Sequence, residues 1–412
     1  MPPSHESPQT GSQSTGLRQA WVASRRLLLG PGPSPVPDSV LRAMAQPTVG
    51  HLDPEFLRLM DEIRGMLAEL LGARSGLATP ISATGSAGME AAIVNLVEPG
   101  DRVVIGVAGV FGHRMAEVAK RAGAVVETVE AAFGEPVDPS AVADMARKKG
   151  GARLIGIVHA ETSTGVLQPL DGLADAAHAS GGLLLVDAVT SFGGVPLDVE
   201  AIGLDALYSG TQKCLACPPG LAPVWFSDRA LERQRSRTQP VQSWYLDLSL
   251  IEGYWGTQRA YHHTAPINQL YGLHEALRLV QAEGLSARHA RHARNARALW
   301  AGLEALGLEL PVAPAHRLPP LTPVRLPAGI EDAPLRRALL DRFDIEIGGG
   351  LGPWAGAAWR IGLMGAGSTQ ANVWRVLSAL ETLLDEAGHS ALADPRAAAN
   401  ACLQGEAPGL GD

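Results

Sequence analysis

Lysine is scarce in this sequence, which has four lysines beside thirty arginines. A reaction that needs a side-chain amine therefore has few candidates. Lys120 stands beside Arg121 near the end of a predicted helix, and Lys148 and Lys149 precede two glycines. Both contexts are typical of solvated surface. Lys213 remains as the candidate for amine chemistry.

Cysteine is also scarce, and the three present, Cys214, Cys217 and Cys402, are too few and odd in number for a disulfide framework. The Cys214-x-x-Cys217 spacing could mark a redox pair or half of a metal site. No second cysteine pair completes four ligands. We therefore interpret the two as small residues lining a loop, and we predict no metal.

Long apolar runs are missing, since no segment approaches the roughly 18 consecutive apolar residues of a membrane helix. The sequence also lacks the layout of a secretory signal. A net charge of -8 gives no electrostatic reason to bind nucleic acid or an anionic membrane. We expect a cytoplasmic protein that acts on small molecules.

The 412 residues divide by pattern into four parts. Residues 1–24 are rich in Ser, Gln, Pro and Gly, which predicts a disordered or loosely attached arm. Residues 25–284 alternate apolar runs with helical patterns, which predicts an α/β domain with a mostly parallel sheet. Residues 285–388 predict a smaller α+β domain, and residues 389–412 a flexible tail.

Individual elements follow from the same patterns. Predicted strands cover residues 102–107, 154–158, 183–189 and 321–326; predicted helices cover residues 113–122, 173–179, 286–306, 333–343 and 369–384. The helix at 286–306 carries arginines at spacings of three. We interpret them as a solvated face rather than a nucleic-acid surface, because the chain is acidic and no aromatic residues interleave with them.

Lys213 lies in the segment SGTQKCLACPPG at residues 209–220, where it is the one charged residue. Such a lysine is either a lone surface residue or an amine held to form a Schiff base. Asp187 favours the second, because it ends an apolar strand where a buried carboxylate needs a cationic partner. A pyridoxal-phosphate site combines such a lysine with an acidic partner for the pyridinium nitrogen.

A third segment, SATGSAGMEAA at residues 82–92, places Gly and hydroxyl residues at the start of a predicted helix. Free backbone N–H groups and the positive end of the helix dipole would make a phosphate seat there. Ser and Thr at this position also commonly serve only as helix caps. The spacing is not that of a dinucleotide fingerprint.

Several segments together resemble the class V aminotransferases of the alanine–glyoxylate and serine–glyoxylate type, over residues 27–385. They are, in order, LGPGP at 29–33, EPGD at 98–101, TSTGVLQPLDG at 162–172, VD at 186–187, SGTQK at 209–213, YHHT at 261–264 and WRIGL at 359–363. The resemblance implies the fold of fold-type I pyridoxal-phosphate transferases. That fold has a mostly parallel seven-stranded sheet in a large α/β domain, a smaller α+β C-terminal domain and a homodimeric assembly.

The resemblance also implies roles for individual residues. Lys213 would hold pyridoxal 5'-phosphate, and Asp187 would face its pyridine nitrogen. The other implied contacts are Thr84, Gly85, Ser86 and Gln212 to the phosphate, Phe111 stacked on the ring, Thr162 beside the cofactor hydroxyl, Gly32, Thr162 and Arg360 around the substrate, and Tyr261 and Thr264 to the phosphate of the neighbouring subunit. Phe111, Ser86 and Thr162 stand where the animal enzymes usually have Trp, His and Ser. Each keeps an aromatic face or a hydrogen-bonding group.

The implied reaction is transamination of a small amino acid, alanine or serine, with glyoxylate, giving pyruvate or hydroxypyruvate and glycine. Serine–pyruvate transamination, or another small 2-oxo acid as acceptor, is an alternative within the family. A desulfurase-like lyase with Cys214 or Cys217 as nucleophile is a further alternative. A catalytically silent binding partner is disfavoured, because Lys213, Asp187 and Arg360 occur together.

Overall fold

The computed structural model describes residues 20–404, except for the side chain of Lys149. Its strands, numbered along the chain, are β1 (Leu27–Leu28), β2 (Leu77–Ile81), β3 (Arg102–Val107), β4 (Val125–Glu130), β5 (Leu154–Val158), β6 (Ala160–Glu161), β7 (Val166–Leu167), β8 (Leu183–Asp187), β9 (Ala206–Tyr208), β10 (Ala222–Phe226), β11 (Leu321–Arg325), β12 (Ile345–Glu346), β13 (Gly348–Gly349) and β14 (Ala358–Gly362). Its helices are α1 (Asp38–Met44), α2 (Pro54–Leu71), α3 (Gly85–Leu96), α4 (Val110–Arg121), α5 (Pro139–Arg147), α6 (Leu173–Ala179), α7 (Val199–Ile202), α8 (Asp228–Arg235), α9 (Leu248–Trp255), α10 (Ile267–Glu283), α11 (Leu285–Ala305), α12 (Asp332–Phe343), α13 (Gln370–Glu386) and α14 (Pro395–Gln404). Within residues 20–404, no helix has the length and apolar composition to cross a bilayer.

The central sheet has seven strands in the order β2-β10-β9-β8-β5-β3-β4, as the resemblance implies. β10 runs antiparallel to β2 and β9, whereas the other neighbours pair in parallel. β5 and β8 are buried at every residue, because helices cover both faces of a parallel sheet. Ligands of such sheets bind beyond the carboxyl ends of the strands, which is where Asp187 ends β8.

A second hydrophobic core lies in the C-terminal part of the chain, around a three-stranded sheet of order β11-β14-β13. β14 is its central strand and is buried at every residue. Helices α11, α12, α13 and α14 contribute to this core, with α11 and α13 supplying Leu299 and Leu380. β14 carries Arg360, which the resemblance places at the substrate.

The N-terminal boundary differs from the prediction that the large domain starts at residue 25. β1 pairs in parallel with β12 of the second domain, through Leu27 N–H to Asp344 carbonyl at 2.7 Å and Leu29 N–H to Glu346 carbonyl at 2.8 Å. Leu29 is fully buried in the second core. This short segment therefore belongs to the smaller domain.

The predicted tail at residues 389–412 is also corrected, because Pro395–Gln404 forms α14. α14 buries Pro395 and Ala399, and it packs on α11, where the missing side chain of Gly302 lets the Pro395 carbonyl approach. An alanine-rich segment carries little hydrophobic periodicity but allows such close contact. Residues 405–412, and residues 1–19 of the predicted arm, lie outside the described residues.

Candidate active site

Asp187 ends β8 between Val158 of β5 and Tyr208 of β9. Its carboxylate accepts a hydrogen bond from the Val189 N–H at 2.8 Å and one from the Tyr208 hydroxyl at 2.7 Å. Burial raises the pKa of Asp187 to about 7, although these two hydrogen bonds act in the opposite direction. No cationic group among the described residues hydrogen-bonds this carboxylate. The site therefore suits a ligand that brings a positive charge to it.

The N-terminus of α3 opens into the same cavity, which has a volume of about 160 Å³. Thr84 is the N-cap residue, but its side chain makes no capping hydrogen bond. Gly85 lies close to the neighbouring loop, since a Cβ there would meet the Ser209 carbonyl at 3.4 Å. The Gln212 side chain also lines the cavity, and its buried Oε1 has no hydrogen-bond partner. The free N–H groups at the N-terminus of a helix suit an anion.

Lys213 enters the cavity from the loop after β9. Its Nζ donates to the Pro31 carbonyl, and the Ser34 hydroxyl donates to the Lys213 carbonyl at 2.7 Å. Gly32 leaves space for the amine, because a Cβ there would lie 2.6 Å from Nζ. Burial lowers the pKa of Lys213 to about 8, and the charge of Arg360 adds to the effect. An amine with this pKa is more readily deprotonated, as nucleophilic and acid-base roles require.

Arg360 reaches from β14 of the second domain toward the loop after β5 of the first. Its Nε donates to the Gly349 carbonyl at 2.8 Å and its Nη1 to the Thr162 carbonyl at 3.0 Å. The side chain is buried, which lowers its pKa to about 10 and leaves it charged at neutral pH. Two of its nitrogens are thus fixed by carbonyls, which holds the guanidinium in one orientation.

Phe111 and Thr162 form further parts of the cavity wall. Phe111 lies in the first turn of α4, and the Arg114 guanidinium stacks over its ring at 4.9 Å. The Thr162 hydroxyl lies 3.3 Å from that of Thr190. An aromatic face and a hydroxyl therefore stand on the walls between Lys213 and Asp187.

The comparisons with known proteins bear on the family of the chain. The family model for the class-V aminotransferases matches residues 26–353. The chain belongs to the class-V aminotransferase family. It is 40% identical over 381 residues to the alanine–glyoxylate aminotransferase of Oryctolagus cuniculus, covering 91% of this chain and 97% of that protein.

Two bacterial proteins extend the comparison of this class-V aminotransferase. The (S)-ureidoglycine–glyoxylate transaminase of Bacillus subtilis (strain 168) is 38% identical over 387 residues, with 89% of this chain and 92% of that protein covered. The crystal structure of an alanine–glyoxylate aminotransferase from Nostoc sp. superposes with a TM-score of 0.87 and 47% identity, covering 90% of this chain and 98% of that chain. The predicted family, fold class and enzyme class are therefore confirmed.

The residues predicted for this aminotransferase fall into two groups. One cavity brings together Thr84, Gly85, Ser86, Phe111, Thr162, Asp187, Gln212 and Lys213. Gly32 lies against Lys213, and Arg360 is joined to Thr162. Tyr261 and Thr264 do not line this cavity within one chain; Tyr261 is 62% exposed, and its hydroxyl lies 3.5 Å from that of Thr264.

Sequence reasoning missed three residues of the site. Tyr208 supports Asp187, Arg114 lines the cavity, and Glu161 is a fully buried carboxylate behind Phe111. Tyr208 had a detectable signal, because its position beside Asp187 follows from the parallel register of β8 and β9. The position of Glu161 depends on the loop after β5 folding back onto α4, which no local pattern reveals.

The cysteines of this aminotransferase do not resemble nucleophiles. Cys214 and Cys217 are buried, and burial raises their pKa values to about 11 and about 12. Cys214 donates through Sγ to the Thr190 carbonyl at 3.3 Å. Reactive cysteines are accessible and have lowered pKa values. No group of three or more potential metal ligands occurs among residues 20–404.

Proposed function

We propose that this chain is a pyridoxal-phosphate-dependent transaminase that moves the amino group of alanine or serine to glyoxylate. The observation that carries the proposal is one cavity containing Lys213, Asp187 and the free N-terminus of α3, with Arg360 beside it. Pyridoxal phosphate has an aldehyde, a basic ring nitrogen and a phosphate. Each of these groups has a complementary partner in the cavity.

The fit to the cofactor depends on the donors, the carboxylate, the aromatic ring and the amine that meet in one cavity. The uncapped N-terminus of α3 and the side-chain NH₂ group of Gln212 would donate hydrogen bonds to the phosphate. The buried Asp187 carboxylate would face the protonated ring nitrogen, and Phe111 would cover one ring face. Lys213 would form the covalent link through its amine. When bound, the ring withdraws electrons from the substrate carbon that loses its proton.

Each residue then has a definable part in the reaction. Asp187 would keep the proton on the ring nitrogen. Lys213 would take up the proton that the substrate α-carbon loses, a general-base contribution of roughly 10² to 10⁴ in rate. Arg360 binds the substrate carboxylate, and the Gly349 and Thr162 carbonyls aim its guanidinium.

The relatives support glyoxylate as acceptor more strongly than any one donor. Both curated relatives carry glyoxylate in their names, whereas one is named for alanine and the other for (S)-ureidoglycine. We propose alanine or serine as the donor, with serine–pyruvate transamination as the runner-up. The 38% identity to the Bacillus subtilis protein makes (S)-ureidoglycine a second candidate donor.

The proposal includes a homodimer and a cytoplasmic location. Tyr261 and Thr264 would contact the phosphate bound by the partner subunit. Trp244, Tyr245 and Tyr261 form an exposed aromatic surface. The neighbouring His263 links this region to the segment before α3, because its Nε2 hydrogen-bonds the Ser82 hydroxyl at 2.7 Å. Burying such a surface in a two-fold interface would remove its apolar area from water.

A donor–acceptor panel on purified enzyme tests the proposal. Alanine, serine, (S)-ureidoglycine, aspartate and cysteine serve as donors, with glyoxylate, pyruvate and 2-oxoglutarate as acceptors. We expect glyoxylate to be the best acceptor, aspartate to be a poor donor, and cysteine to release no sulfide. Faster turnover with aspartate than with alanine would contradict the proposed substrates.

Lys213→Ala tests the chemistry itself. The variant should lose turnover and the lysine adduct that borohydride traps, because the remaining lysines lie elsewhere. Lys120→Ala changes an exposed lysine and should behave as wild type. A trapped adduct on Lys213→Ala would place the covalent link on another residue.

A further inference from the structure

Helix α4 begins without a local cap. Its N-cap residue is Gly109, which has no side chain to accept the free N–H groups of the first turn. In α2, α5 and α8 the cap is local, because Asp53, Asp138 and Ser227 accept backbone N–H groups. In α4 the acceptors come from the segment that follows β5, about fifty residues later in the chain.

Two side chains of that segment replace the cap. The Val110 N–H donates to the Ser163 hydroxyl at 2.9 Å. The Phe111 and Gly112 N–H groups each donate to Glu161 Oε2 at 3.2 Å. The Ser163 hydroxyl in turn donates to Glu161 Oε1 at 2.5 Å. The free donors of the first turn are thus satisfied from a distant part of the sequence.

Gly109 makes room for this arrangement. A Cβ at Gly109 would lie 2.4 Å from the Ser163 hydroxyl oxygen and 2.7 Å from the Glu161 carboxyl carbon. Any larger residue there would displace the remote cap. The glycine therefore serves the approach of Glu161 and Ser163 to the helix.

Glu161 is fully buried, yet it forms no ion pair with Arg, Lys or His among the described residues. Burial raises its pKa, while the hydrogen bonds from Ser163, Gly112 and Phe111 act in the opposite direction. The positive end of the α4 dipole and these donors supply the compensation that a buried carboxylate needs. Placement of such a group for stability alone is costly.

Two residues of the cavity wall, Phe111 and Thr162, lie within the segments that these hydrogen bonds join. Phe111 lies between two of the tethered N–H groups, and Thr162 lies between Glu161 and Ser163. We infer that Glu161 is a positioning residue, whose carboxylate fixes the first turn of α4 so that the Phe111 ring forms a wall of the cofactor cavity. The inference rests on the proposed function insofar as the ligand is pyridoxal phosphate.

Glu161→Gln tests the anchor while keeping the side-chain volume. Both oxygens of the Glu161 carboxylate accept hydrogen bonds, whereas a glutamine amide has one acceptor oxygen. Its NH₂ group would face other hydrogen-bond donors and could not accept from them. In cofactor-free protein, the amides of residues 110–112 should exchange hydrogen at least tenfold faster than in wild type. Ser163→Ala, which removes one acceptor, should give a smaller change in the same direction. Unchanged exchange in both variants would overturn the inference, whether or not the protein binds pyridoxal phosphate.

The link to the cavity is tested by a double-mutant cycle on pyridoxal-phosphate affinity. Glu161→Gln should raise the Kd for pyridoxal phosphate roughly tenfold, about 1.4 kcal/mol. In a Phe111→Leu background the same substitution should raise it less than twofold, because the ring that Glu161 positions is gone. An equal effect in both backgrounds would overturn the inference, since Glu161 would then act without Phe111.

Asp138→Asn is the matched control, because it makes the same change from carboxylate to amide at the N-terminus of another helix, α5, at an exposed site. Asp138→Asn should leave the Kd for pyridoxal phosphate unchanged. If it raised the Kd as much as Glu161→Gln does, the weaker binding would reflect a general loss of stability, and the inference would be overturned. Failure of wild-type protein to bind pyridoxal phosphate would instead refute the proposed function. The hydrogen-exchange result is independent of that outcome.

Discussion

Asp187 occupies a position that disfavours its charge unless a cation lies beside it. The carboxylate is almost completely buried, and its pKa of about 7 lies far above the ordinary value of 3.8. Such a difference between folded and unfolded states costs on the order of 4 kcal/mol at alkaline pH. A ligand with a protonated ring nitrogen would offset this cost on binding.

We therefore predict that Asp187→Asn stabilises the cofactor-free protein at pH 8 while removing most transaminase activity. In the wild type, folding favours the protonated form of Asp187, and the stabilisation from this preference is fully present below pH 4. It falls as pH rises toward 7 and stays low at higher pH. Asparagine has no such pH dependence. Urea unfolding at pH 5 and pH 8 measures the effect, with the exposed Asp171→Asn as control. A variant less stable than wild type at pH 8 would contradict the explanation.

Arg360 provides a second prediction at the scale of one residue. Arg360→Lys should raise KM for both amino and oxo acids by roughly 10- to 150-fold, because a lysine cannot keep both carbonyl contacts and also bind a carboxylate in two places. Steady-state kinetics with alanine and glyoxylate measure it. Arg325→Lys on the paired strand β11 is the control, since Arg325 stacks on Trp354 instead. Unchanged KM values in Arg360→Lys would assign the carboxylate to another residue.

The residues that could be predicted from sequence are those whose type conflicts with their surroundings. Lys213 is a lone charge among small residues, and Asp187 ends an apolar strand. Phe111 and Arg360 came from the family resemblance rather than from any physical pattern. Glu161 could not be predicted, because its contacts with α4 join segments about fifty residues apart in the chain. Tyr208 could have been found only by working out the register of β8 against β9.

At the scale of elements, α11 joins the two domains with its first turns. Arg288 donates to the Gly193 and Cys214 carbonyls of the large domain, and Arg291 donates to the Gly365 and Ser368 carbonyls of the small one. Glu283 at the end of α10 pairs with both arginines. The prediction of a fully solvated arginine face is thus wrong for Arg288 and Arg291, whereas Arg294 and Arg297 are exposed. The spacing of the arginines could not distinguish the two buried ones from the two exposed ones, because the difference lies in whether backbone carbonyls of other segments face each guanidinium.

We predict that Arg288→Lys lowers the free energy of unfolding by about 1.5 to 3 kcal/mol, because one ammonium nitrogen cannot reach the acceptors that three separate guanidinium nitrogens contact in this buried position. Chemical denaturation measures the change. Arg294→Lys, on the exposed face of the same helix, should leave stability within about 0.5 kcal/mol of wild type. Equal effects of the two substitutions would show that helix propensity, not the buried contacts, is responsible.

The main elements were predictable wherever one pattern dominated. Strands at 102–107 and 154–158 and the helix at 173–179 match their predicted bounds. β1 and α14 were not predictable, because β1 is only two residues long and α14 depends on close packing against α11. Both are stabilised by distant segments, which local periodicity does not report.

At the scale of the whole molecule, the aromatic surface around Tyr261 leads to a test of assembly. A Lys213→Ala chain mixed with a Tyr261→Phe/Thr264→Ala chain should recover activity at limiting cofactor after subunit exchange. In the mixed dimer, the intact lysine of one chain would meet the intact hydroxyls of the other. Each parent alone and each mixture before exchange serve as controls. Absence of recovery in confirmed mixed dimers would place Tyr261 and Thr264 outside the partner's site.

The position of the α11 contacts has a consequence for tolerance to sequence change. Cys214 directly follows Lys213, and Gly365 lies five residues beyond Arg360, so α11 is attached close to both groups. Neither α12 nor α14 supplies a carbonyl to these attachments. The distance between amine and guanidinium is then insulated from repacking at the periphery. We expect substitutions on the outer faces of α12 and α14 to leave the proposed substrate site unchanged.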